Sequence, residues 1–353
     1  MKKFLRLTLI FLTPLLLFYS PYLIGDPFKV LRKYKTYYPE DGSPLWINNN
    51  RGYVSTQLYL QNKDANQWNS FIFGSSRSGA YLSDEWKKYI GPHCNCLHMD
   101  GYGESLYNLH KKIKFIDGKS HFDNALICID EMLLTQTSPE TGHLWITHPA
   151  LEENKNWTNW HLSYLRAYSR PEFIRAYIDF SLTHKVKPYM IASGVIDTTP
   201  YGPYNLFSNE NLPDQKIEDM REKEDWYTSE RLSQFPSRAK TPEFYNPILK
   251  QKNITMLSEI ADVLRRNHTN YKVIINPTYD QKLFDPKDME ILDSIFGNHL
   301  FDFSGRNLIT EDYHNYYDPV HYKKRIGAMI LRIIYIKDNM ARKAAIDSLY
   351  CLN

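Results

Sequence analysis

The sequence lacks the features of a disulfide-linked, metal-binding or nucleic-acid-binding protein. Its 353 residues include only four cysteines. Cys94 and Cys96, in the run HCNC, are too close for an easy mutual disulfide, and no second CxxC completes a zinc site. The 43 Lys and Arg residues against 40 Asp and Glu leave a formal charge of +3, which is too slight and too evenly spread to indicate DNA or RNA binding. We therefore predict no disulfide framework, no metal, no cofactor and no nucleic-acid partner.

Apolar and aromatic side chains, by contrast, are abundant. Hydrophobic residues make up 42% of the chain, enough to bury a core, and aromatic residues make up 14%, with 27 tyrosines. Tyrosine-rich surfaces often line sugar-binding sites because the ring stacks while the hydroxyl stays in water. The composition favours a globular protein and a glycan as its ligand.

The N-terminus has the composition of a signal anchor. Lys2, Lys3 and Arg6 precede an uncharged run, residues 7–24, rich in Leu, Ile and Phe. At about 1.5 Å per residue, such a run nearly spans a ~30 Å hydrocarbon core. No small-x-small cleavage site follows, which favours retention over the alternative, a cleaved signal peptide. We predict an anchor over residues 1–33, with the body of the protein outside the cytoplasm, on the periplasmic or cell-surface side.

The rest of the chain is predicted to be a lead-in segment (34–69), an α/β domain (70–340) and a C-terminal tail (341–353). Runs typical of buried strands occur at 71–73, 125–129, 188–192 and 272–275. Helical spacing occurs at 105–116, 171–181, 254–264 and 327–336. Strands that alternate with helices indicate a mainly parallel sheet covered on both faces. Periodicity fails between about 196 and 247, which predicts an irregular insertion with one solvated helix in the charged run KIEDMREKEDW.

Two short motifs carry chemistry. In NSFIFGSSRSGAY, residues 69–81, a strand-like run leads into Gly74 and three serines, a pattern that suits a nucleophile, an anion-binding loop or a turn. In NYYDPVHYKKRIGAMIL, Asp318 and His321 stand three residues apart near the start of the last helix, where both can lie on one side. Such an Asp can orient an imidazole and leave its other nitrogen free as a base. This pair needs a nucleophile, and Ser76 is the candidate.

The two motifs resemble those of the SGNH (GDSL-type) hydrolase superfamily. That family has Gly-Asp-Ser after its first strand and Asp-x-x-His before its last helix; here Ser75 stands in the aspartate position. The Gly-Ser-Ser variant, the anchor and the later run IINPTYD, residues 274–280, look like the membrane-anchored cell-envelope branch, which includes D-alanine transfer and alginate O-acetylation proteins. The resemblance covers most of residues 70–335. It implies a flavodoxin-like three-layer α/β/α sandwich.

The resemblance also implies roles. Ser76 would be the nucleophile, His321 the general base and then acid, and Asp318 its orienting partner. The reaction would be acyl transfer or ester hydrolysis, with an O-acetyl group expected, through an acyl-serine on a cell-envelope polysaccharide, with a membrane acyltransferase as a possible partner. The oxyanion would take the Ser76 N–H and a glycine N–H, for which Gly103 is the better match and Gly101 the alternative.

One family position departs from the pattern. Where the superfamily commonly has an oxyanion-binding Asn, this chain has Asp130 in ALICIDEMLL, and a carboxylate cannot donate to an oxyanion. Asp130 would then hold Arg77 or the serine loop. Arg77 itself could bind an anionic substrate group, pair with Asp130, or face water.

Other interpretations remain open. GSSRSG could be a phosphate-binding loop, as in sugar-phosphate isomerase-like domains. The chain could also be a catalytically degenerate SGNH-fold protein that binds glycan or an acyltransferase partner. Asp312 and His314 form a rival pair ranked below the first, because no helix follows them directly. His143 and His148 have a spacing that suits a metal, but no third ligand is near, so we expect structural or substrate-contact roles.

Overall fold

The computed structural model describes residues 1–199 and 202–351, with the side chains at 2–3, 5–12 and 15–16 outside the description. The strands are β1 (Ser70–Phe73), β2 (Cys96–His98), β3 (Asn124–Ile129), β4 (Tyr204–Asn205), β5 (Glu210–Asn211), β6 (Asn270–Ile275), β7 (Leu300–Asp302), β8 (Tyr316–Asp318) and β9 (His321–Tyr322). Five of these strands form one parallel sheet in the order β2-β1-β3-β6-β7. The pairs β4-β5 and β8-β9 are separate antiparallel hairpins.

The strand order of the main sheet determines where a site can form. In chain order its five strands run 2-1-3-4-5, the order of flavodoxin-like doubly wound sheets. The direction of winding reverses between β1 and β3. In such sheets, ligands bind outside the carboxyl ends of the strands at that reversal. The serine cluster follows β1, and Asp130 follows β3, so both lie at this position.

The helices cover both faces of the sheet. They are α1 (Lys2–Gly25), α2 (Arg51–Asn66), α3 (Ser83–Ile90), α4 (Leu106–Ile116), α5 (Glu131–Thr135), α6 (Trp157–Tyr168), α7 (Pro171–Thr183), α8 (Pro188–Ala192), α9 (Gln215–Arg221), α10 (Ser229–Leu232), α11 (Gln251–Arg266), α12 (Pro286–Phe296), α13 (Leu308–Glu311), α14 (Lys324–Ile334) and α15 (Asn339–Leu349).

Two buried clusters lie on opposite faces of the sheet, because successive side chains in a strand point to opposite faces. Phe71 and Phe73 pack in one buried cluster with side chains of α4, α11 and α12. Ile72 packs in a second cluster with Trp86 of α3 and the apolar face of α14. The fold is therefore a three-layer α/β structure. This confirms the predicted parallel sheet, the strands at 71–73, 125–129 and 272–275, and the four predicted helices.

The predicted strand at 188–192 is wrong, because this segment is helix α8. Pro188 occupies its first turn, where the missing N–H costs nothing, and Met190 is buried against α7 and its neighbours rather than in the sheet. Two strands of the main sheet escaped prediction, β2 and β7. Each has only three residues, which is too short for a periodic pattern to appear.

A third buried cluster joins the N-terminal third of the chain to α6, α7 and α8. The predicted lead-in contains the 16-residue helix α2, and its tyrosines Tyr37, Tyr38 and Tyr53 are buried in this cluster. The end of α1 packs here through Tyr22. Much of the predicted anchor, residues 7–24, lies outside the described side chains. Among the residues that are described, no helix is at once long and apolar enough to cross a membrane.

The insertion lies along the β2 edge of the sheet and continues to the β8-β9 hairpin. The Ser208 carbonyl accepts a 2.9 Å hydrogen bond from the His98 N–H, which fastens the β4-β5 hairpin to β2. The charged run forms α9, which has no buried residue, as expected for a solvated helix. Tyr227 donates to the Tyr316 carbonyl at 2.9 Å and connects the insertion to β8. The insertion therefore reaches the carboxyl edge of the sheet.

Candidate active site

The serine cluster forms a tight turn because of one glycine. Gly74 has φ +144°, and a Cβ on it would lie 2.8 Å from the Cys128 carbonyl oxygen of β3. Only glycine accommodates both the backbone angle and the close approach. The chain then enters a 3-10 turn over Ser76–Ala80, in which the Ser78 hydroxyl donates to the Ser75 carbonyl at 2.8 Å. The turn holds Ser76 at the end of the sheet with its side chain toward the solvent.

Asp318 and His321 occupy the β8-β9 hairpin, not the start of a helix. They face each other across a two-residue turn, and α14 begins only at Lys324. Asp318 Oδ1 accepts the backbone N–H groups of Val320 and His321 at 2.9 and 3.0 Å. A proline at the first turn position restricts the backbone further. The sequence spacing was informative, but the local structure that uses it is a hairpin.

Ser76, His321 and Asp318 form a continuous hydrogen-bonded chain. Ser76 Oγ lies 2.8 Å from His321 Nε2, and His321 Nδ1 lies 2.8 Å from Asp318 Oδ2. Because the carboxylate can only accept, Nδ1 carries the proton, which leaves Nε2 to accept the serine hydroxyl. The predicted triad is thus brought within hydrogen-bond reach across 245 residues of sequence.

Hydrogen bonding keeps Asp318 ionised. Burial alone would raise the pKa of Asp318, but the hydrogen bond from His321 and the backbone N–H groups of Val320 and His321 outweigh it and hold the pKa below its ordinary value. The side chains of His321 and Asp318 are 36% and 41% exposed, so the pair remains open to a substrate. The carboxylate is therefore available to orient the imidazole at neutral pH.

Helix α14 presses directly against the serine turn. A Cβ at Gly327 would overlap the Ala80 carbonyl oxygen, so the helix can approach only because this residue has no side chain. The hairpin with His321 and Asp318 immediately precedes α14. The same contact thus brings the two halves of the triad together.

The Arg77 side chain also connects the serine turn to the β8-β9 hairpin. Its Nη1 donates to Asp130 Oδ2 at 2.8 Å, and its Nε donates to the Val320 carbonyl at 2.9 Å, inside the β8-β9 turn. The Arg77 and Asp130 side chains are only 10% and 4% exposed. Of the three roles left open for Arg77, the structure shows pairing with Asp130.

Asp130 accepts hydrogen bonds from several segments at the carboxyl ends of the strands. Besides Arg77, its Oδ2 accepts from Asn276 Nδ2 at 3.2 Å and, more weakly, from Ser75 Oγ at 3.4 Å. Its Oδ1 caps α5 by accepting the Leu133 N–H at 3.0 Å. Asp130 is not among the described residues that line the neighbouring cavity. Its position fits a role in holding the loops rather than in touching a substrate.

Neither of the two glycines considered as oxyanion donors is placed to serve as one. The Gly101 N–H already donates to the Gly74 carbonyl at 3.1 Å. Gly103, with φ +60°, packs beside Trp145 and is not among the described residues that line the cavity. The Ser76 N–H has no acceptor within the described parts of the chain. Ser76 therefore offers the first oxyanion donor, and the glycine donor predicted at Gly103 does not reach the cavity wall here.

A cavity of about 480 Å³ opens beside the triad. Its described lining residues come from the start of α2, the carboxyl ends of β1 and β2, the insertion, the β8-β9 hairpin and α14: Arg51, Ser76, Arg77, Gly79, Ala80, His98, Asp100, Tyr102, Thr199, Glu210, Asn211, Arg221, Tyr317, Asp318, His321, Tyr322 and Lys324.

Buried charge pairs form another part of the cavity wall, and sequence reasoning missed them. Arg51, only 3% exposed, donates through Nε to both Asp100 oxygens at 3.0 Å. His98 Nε2 lies 3.3 Å from Glu210 Oε2. Burial alone would raise the pKa of Glu210, but the His98 ring, the Ser208 hydroxyl and the Ser83 N–H lower it to about 2. No local pattern marks these residues, because their partners are distant in sequence.

The rival pair Asp312 and His314 lacks a free base. His314 Nδ1 contacts Asp312 at 2.7 Å and its Nε2 contacts Glu224 at 2.8 Å. Burial alone would lower the pKa of His314, but hydrogen bonds to these two carboxylates raise it overall. With both ring nitrogens engaged and outside the cavity lining, His314 cannot activate a hydroxyl.

His143 and His148 have local packing roles. His148 is 2% exposed; its Nδ1 accepts the Ala150 N–H and its Nε2 contacts Gln57. Burial lowers its pKa to about 3. Burial likewise lowers the pKa of His143 to about 4, where the ring packs on Phe28. Within the described residues, no group of three or more His, Cys, Asp or Glu side chains could hold a metal ion.

Comparison with known proteins adds no assignment. No protein-family model matches the chain, and no curated protein matches it at a significant level.

Proposed function

We propose that this protein is a serine-dependent acyltransferase or esterase of SGNH type. The single observation that carries the proposal is the chain of hydrogen bonds from Ser76 Oγ through His321 to Asp318 at the edge of a cavity. A serine hydroxyl becomes a useful nucleophile only when a base takes its proton as it attacks. An imidazole oriented by a carboxylate is the usual device for this.

The geometry supports a two-step mechanism. Ser76 Oγ attacks the acyl carbonyl carbon while its proton passes to His321 Nε2, and the Ser76 N–H stabilises the oxyanion. The leaving oxygen takes the proton from Nε2 as its bond to the acyl carbon breaks, which leaves an acyl-serine. A hydroxyl of a glycan, or water, then gives its proton to Nε2 and attacks the ester. Ser76 recovers the proton when the new ester or acid departs.

The substrate and location follow from weaker observations. The N-terminal run resembles the anchor of the cell-envelope SGNH proteins, and the tyrosine-rich composition suits a sugar. We propose an O-acetyl group and a cell-envelope polysaccharide as acyl group and acceptor. The body would lie outside the cytoplasm, and a membrane acyltransferase could supply the acyl group.

A second function has a specific observation in its favour. The family's third oxyanion donor is replaced by Asp130, which is committed to Arg77, and Gly103 is not among the described residues of the cavity wall. A degenerate protein that binds glycan or an acyltransferase partner would tolerate both departures. A specialised transferase that relies on its own donor would tolerate them as well, whereas a fast general esterase would not.

Labelling of the full-length chain with a serine-reactive fluorophosphonate tests the proposal. Covalent modification should occur at Ser76, as located by peptide mass spectrometry, and should be lost in Ser76→Ala and His321→Ala. Ser78→Ala and His314→Ala are matched controls, because both side chains are hydrogen-bonded elsewhere. Labelling that persists in both triad variants would refute the mechanism. Absence of any labelling in the folded wild-type chain would favour the binding protein.

A further inference from the structure

One cation at the cavity wall, Lys324, has no carboxylate within ion-pair distance in the described part of the chain. Arg51 pairs with Asp100, and Arg77 pairs with Asp130. Lys324, at the first turn of α14, makes no ion pair within 4 Å among the described residues; its Nζ donates to the Asn211 carbonyl at 2.9 Å. A lysine that is mostly enclosed by protein normally has an anionic partner, because burial of an uncompensated charge is costly.

A second cation beside it is only partly satisfied. Arg221 contacts Glu218 Oε1 at 3.3 Å through Nη1, and its guanidinium lies over the Tyr317 ring at 4.8 Å. Its Nε is buried and has no hydrogen-bond partner within the described residues. Glu218 is shared, since its other oxygen accepts the Tyr317 hydroxyl at 2.6 Å. The Arg221 guanidinium is therefore only partly satisfied within the described residues, and both Arg221 and Lys324 line the cavity.

The anionic groups at the same wall are already engaged. Glu210 accepts the Ser208 hydroxyl at 2.6 Å and the Ser83 N–H at 3.0 Å. Asp318 is held by His321. Neither is within ion-pair distance of Lys324 in the described structure. An incoming anion would thus meet the Lys324 ammonium, which has no ion-pair partner among the described residues, and the Arg221 guanidinium, which contacts Glu218 only through Nη1.

We propose that Lys324 and Arg221 form a subsite for a negatively charged group, a carboxylate or a phosphate, on the substrate that enters this cavity. This inference rests on the proposed function, because the negatively charged group would belong to the acyl donor or the acceptor of the Ser76 reaction. It identifies the substrate as an acidic sugar or a sugar phosphate rather than a neutral glycan.

The site differs from the phosphate-binding serine loop considered from the sequence. In that loop Ser78 Oγ donates to Ser75, Ser76 Oγ contacts His321, and Arg77 is paired with Asp130. These groups are occupied inside the chain. The available donors lie instead on α9 and α14, which the sequence does not place together.

Direct binding tests the subsite without relying on catalysis. The full-length Ser76→Ala protein is titrated calorimetrically at pH 7 with glucuronate, with glucose 6-phosphate and with neutral glucose. At least one anionic sugar should bind about tenfold or more tightly than glucose, since a charge-assisted hydrogen bond provides that much. The tighter of the two identifies the group as carboxylate or phosphate.

Variants then locate the binding. Lys324→Gln and Arg221→Gln in the same background should each weaken anion binding about tenfold while leaving glucose unchanged. Arg325→Gln is the matched control, because it removes the same charge from the next residue, whose side chain is 49% exposed and outside the cavity lining. It should change affinity less than about twofold. If one cavity variant fails to fold, the other decides the result.

The outcomes separate this inference from the proposed function. Equal affinity for glucose and both anions, or anion binding unaffected by either cavity variant, would overturn the subsite even if Ser76 is labelled by fluorophosphonate. Anion binding that depends on Lys324 without labelling of Ser76 would uphold the subsite and refute the acyl-serine mechanism.

Discussion

The Arg77–Asp130 pair allows the sharpest quantitative prediction. Both side chains are nearly buried, and removal of one partner of a buried pair leaves the other charge uncompensated, which costs about 3–5 kcal/mol. Arg77→Gln should therefore lower the free energy of unfolding by that amount. For a chain of this size, about 1.4 °C per kcal/mol gives a fall in Tm of about 4–7 °C.

Asp130→Asn should lower the free energy of unfolding nearly as much as Arg77→Gln does, although Asn and Asp have the same shape. One oxygen of Asp130 accepts the Leu133 N–H, and the other accepts Arg77 Nη1 and Asn276 Nδ2. An amide has only one oxygen, so either orientation points its NH₂ group at donors. The substitution that would introduce the Asn of the SGNH pattern is thus expected to destabilise this protein.

The assay combines thermal unfolding with the rate of fluorophosphonate labelling. Arg77→Gln also releases the Val320 carbonyl, so labelling should slow even at temperatures where the variant is fully folded. Arg306→Gln is the matched control, because its pair with Glu311 is exposed on both sides and should be worth about 0–1 kcal/mol. A loss of stability for Arg77→Gln no larger than that of Arg306→Gln would refute the reasoning.

Three further predictions follow. Gly327→Ala should lower the free energy of unfolding by about 1–3 kcal/mol and slow labelling of Ser76, because the added methyl meets the Ala80 carbonyl; an unchanged labelling rate would contradict this. The pKa of Asp318 lies below its ordinary 3.8, so its carboxylate stabilises the fold above about pH 4 and loses this effect as the pH falls through the lowered pKa. Asp318→Asn should therefore reduce Tm more at pH 7 than at pH 3. An equal reduction at both pH values would argue against this stabilisation. Burial lowers the pKa of Lys324 to about 8, so anion affinity measured by calorimetry should fall between pH 7 and pH 9, and a flat profile would count against its role.

The pH prediction for Lys324 takes its surroundings into account. Desolvation is the main cause of the lowered pKa, Glu218 and Glu210 oppose it, and Arg221 adds to it. Glu210, whose pKa is lowered to about 2, stays ionised over this range. The loss of anion binding between pH 7 and pH 9 would therefore report Lys324 itself.

Much of the fold was predictable because its signals are local. The runs at 71–73, 125–129 and 272–275 are apolar on both sides, as strands buried between two helical layers must be. The missed strands β2 and β7 are three residues long, so no window could detect them. The error at 188–192 has the same origin: a short apolar run suits a buried strand or a short helix, and only packing against α7 decides between them.

The candidate site divides in the same way. Ser76 was predictable from a strand, a glycine and a serine in succession, and Asp318 and His321 from a spacing of three. The hairpin that holds the latter two was not predictable, because the same spacing suits a helix start. No local sequence pattern marks Arg51, Glu210 or Lys324, because the groups that they contact belong to other segments of the chain.

The sequence by itself predicted the parallel α/β architecture and the three residues that we propose as a triad, because periodicity and spacing are properties of neighbouring residues. Only the tertiary structure decided that Ser76 and His321 meet at 2.8 Å, that Asp130 is paired with Arg77, and that Lys324 at the cavity wall makes no ion pair within 4 Å among the described residues. Those facts depend on contacts between segments far apart in the chain, and the position of one charge relative to another is set by the packed sheet and helices rather than by either residue's neighbours.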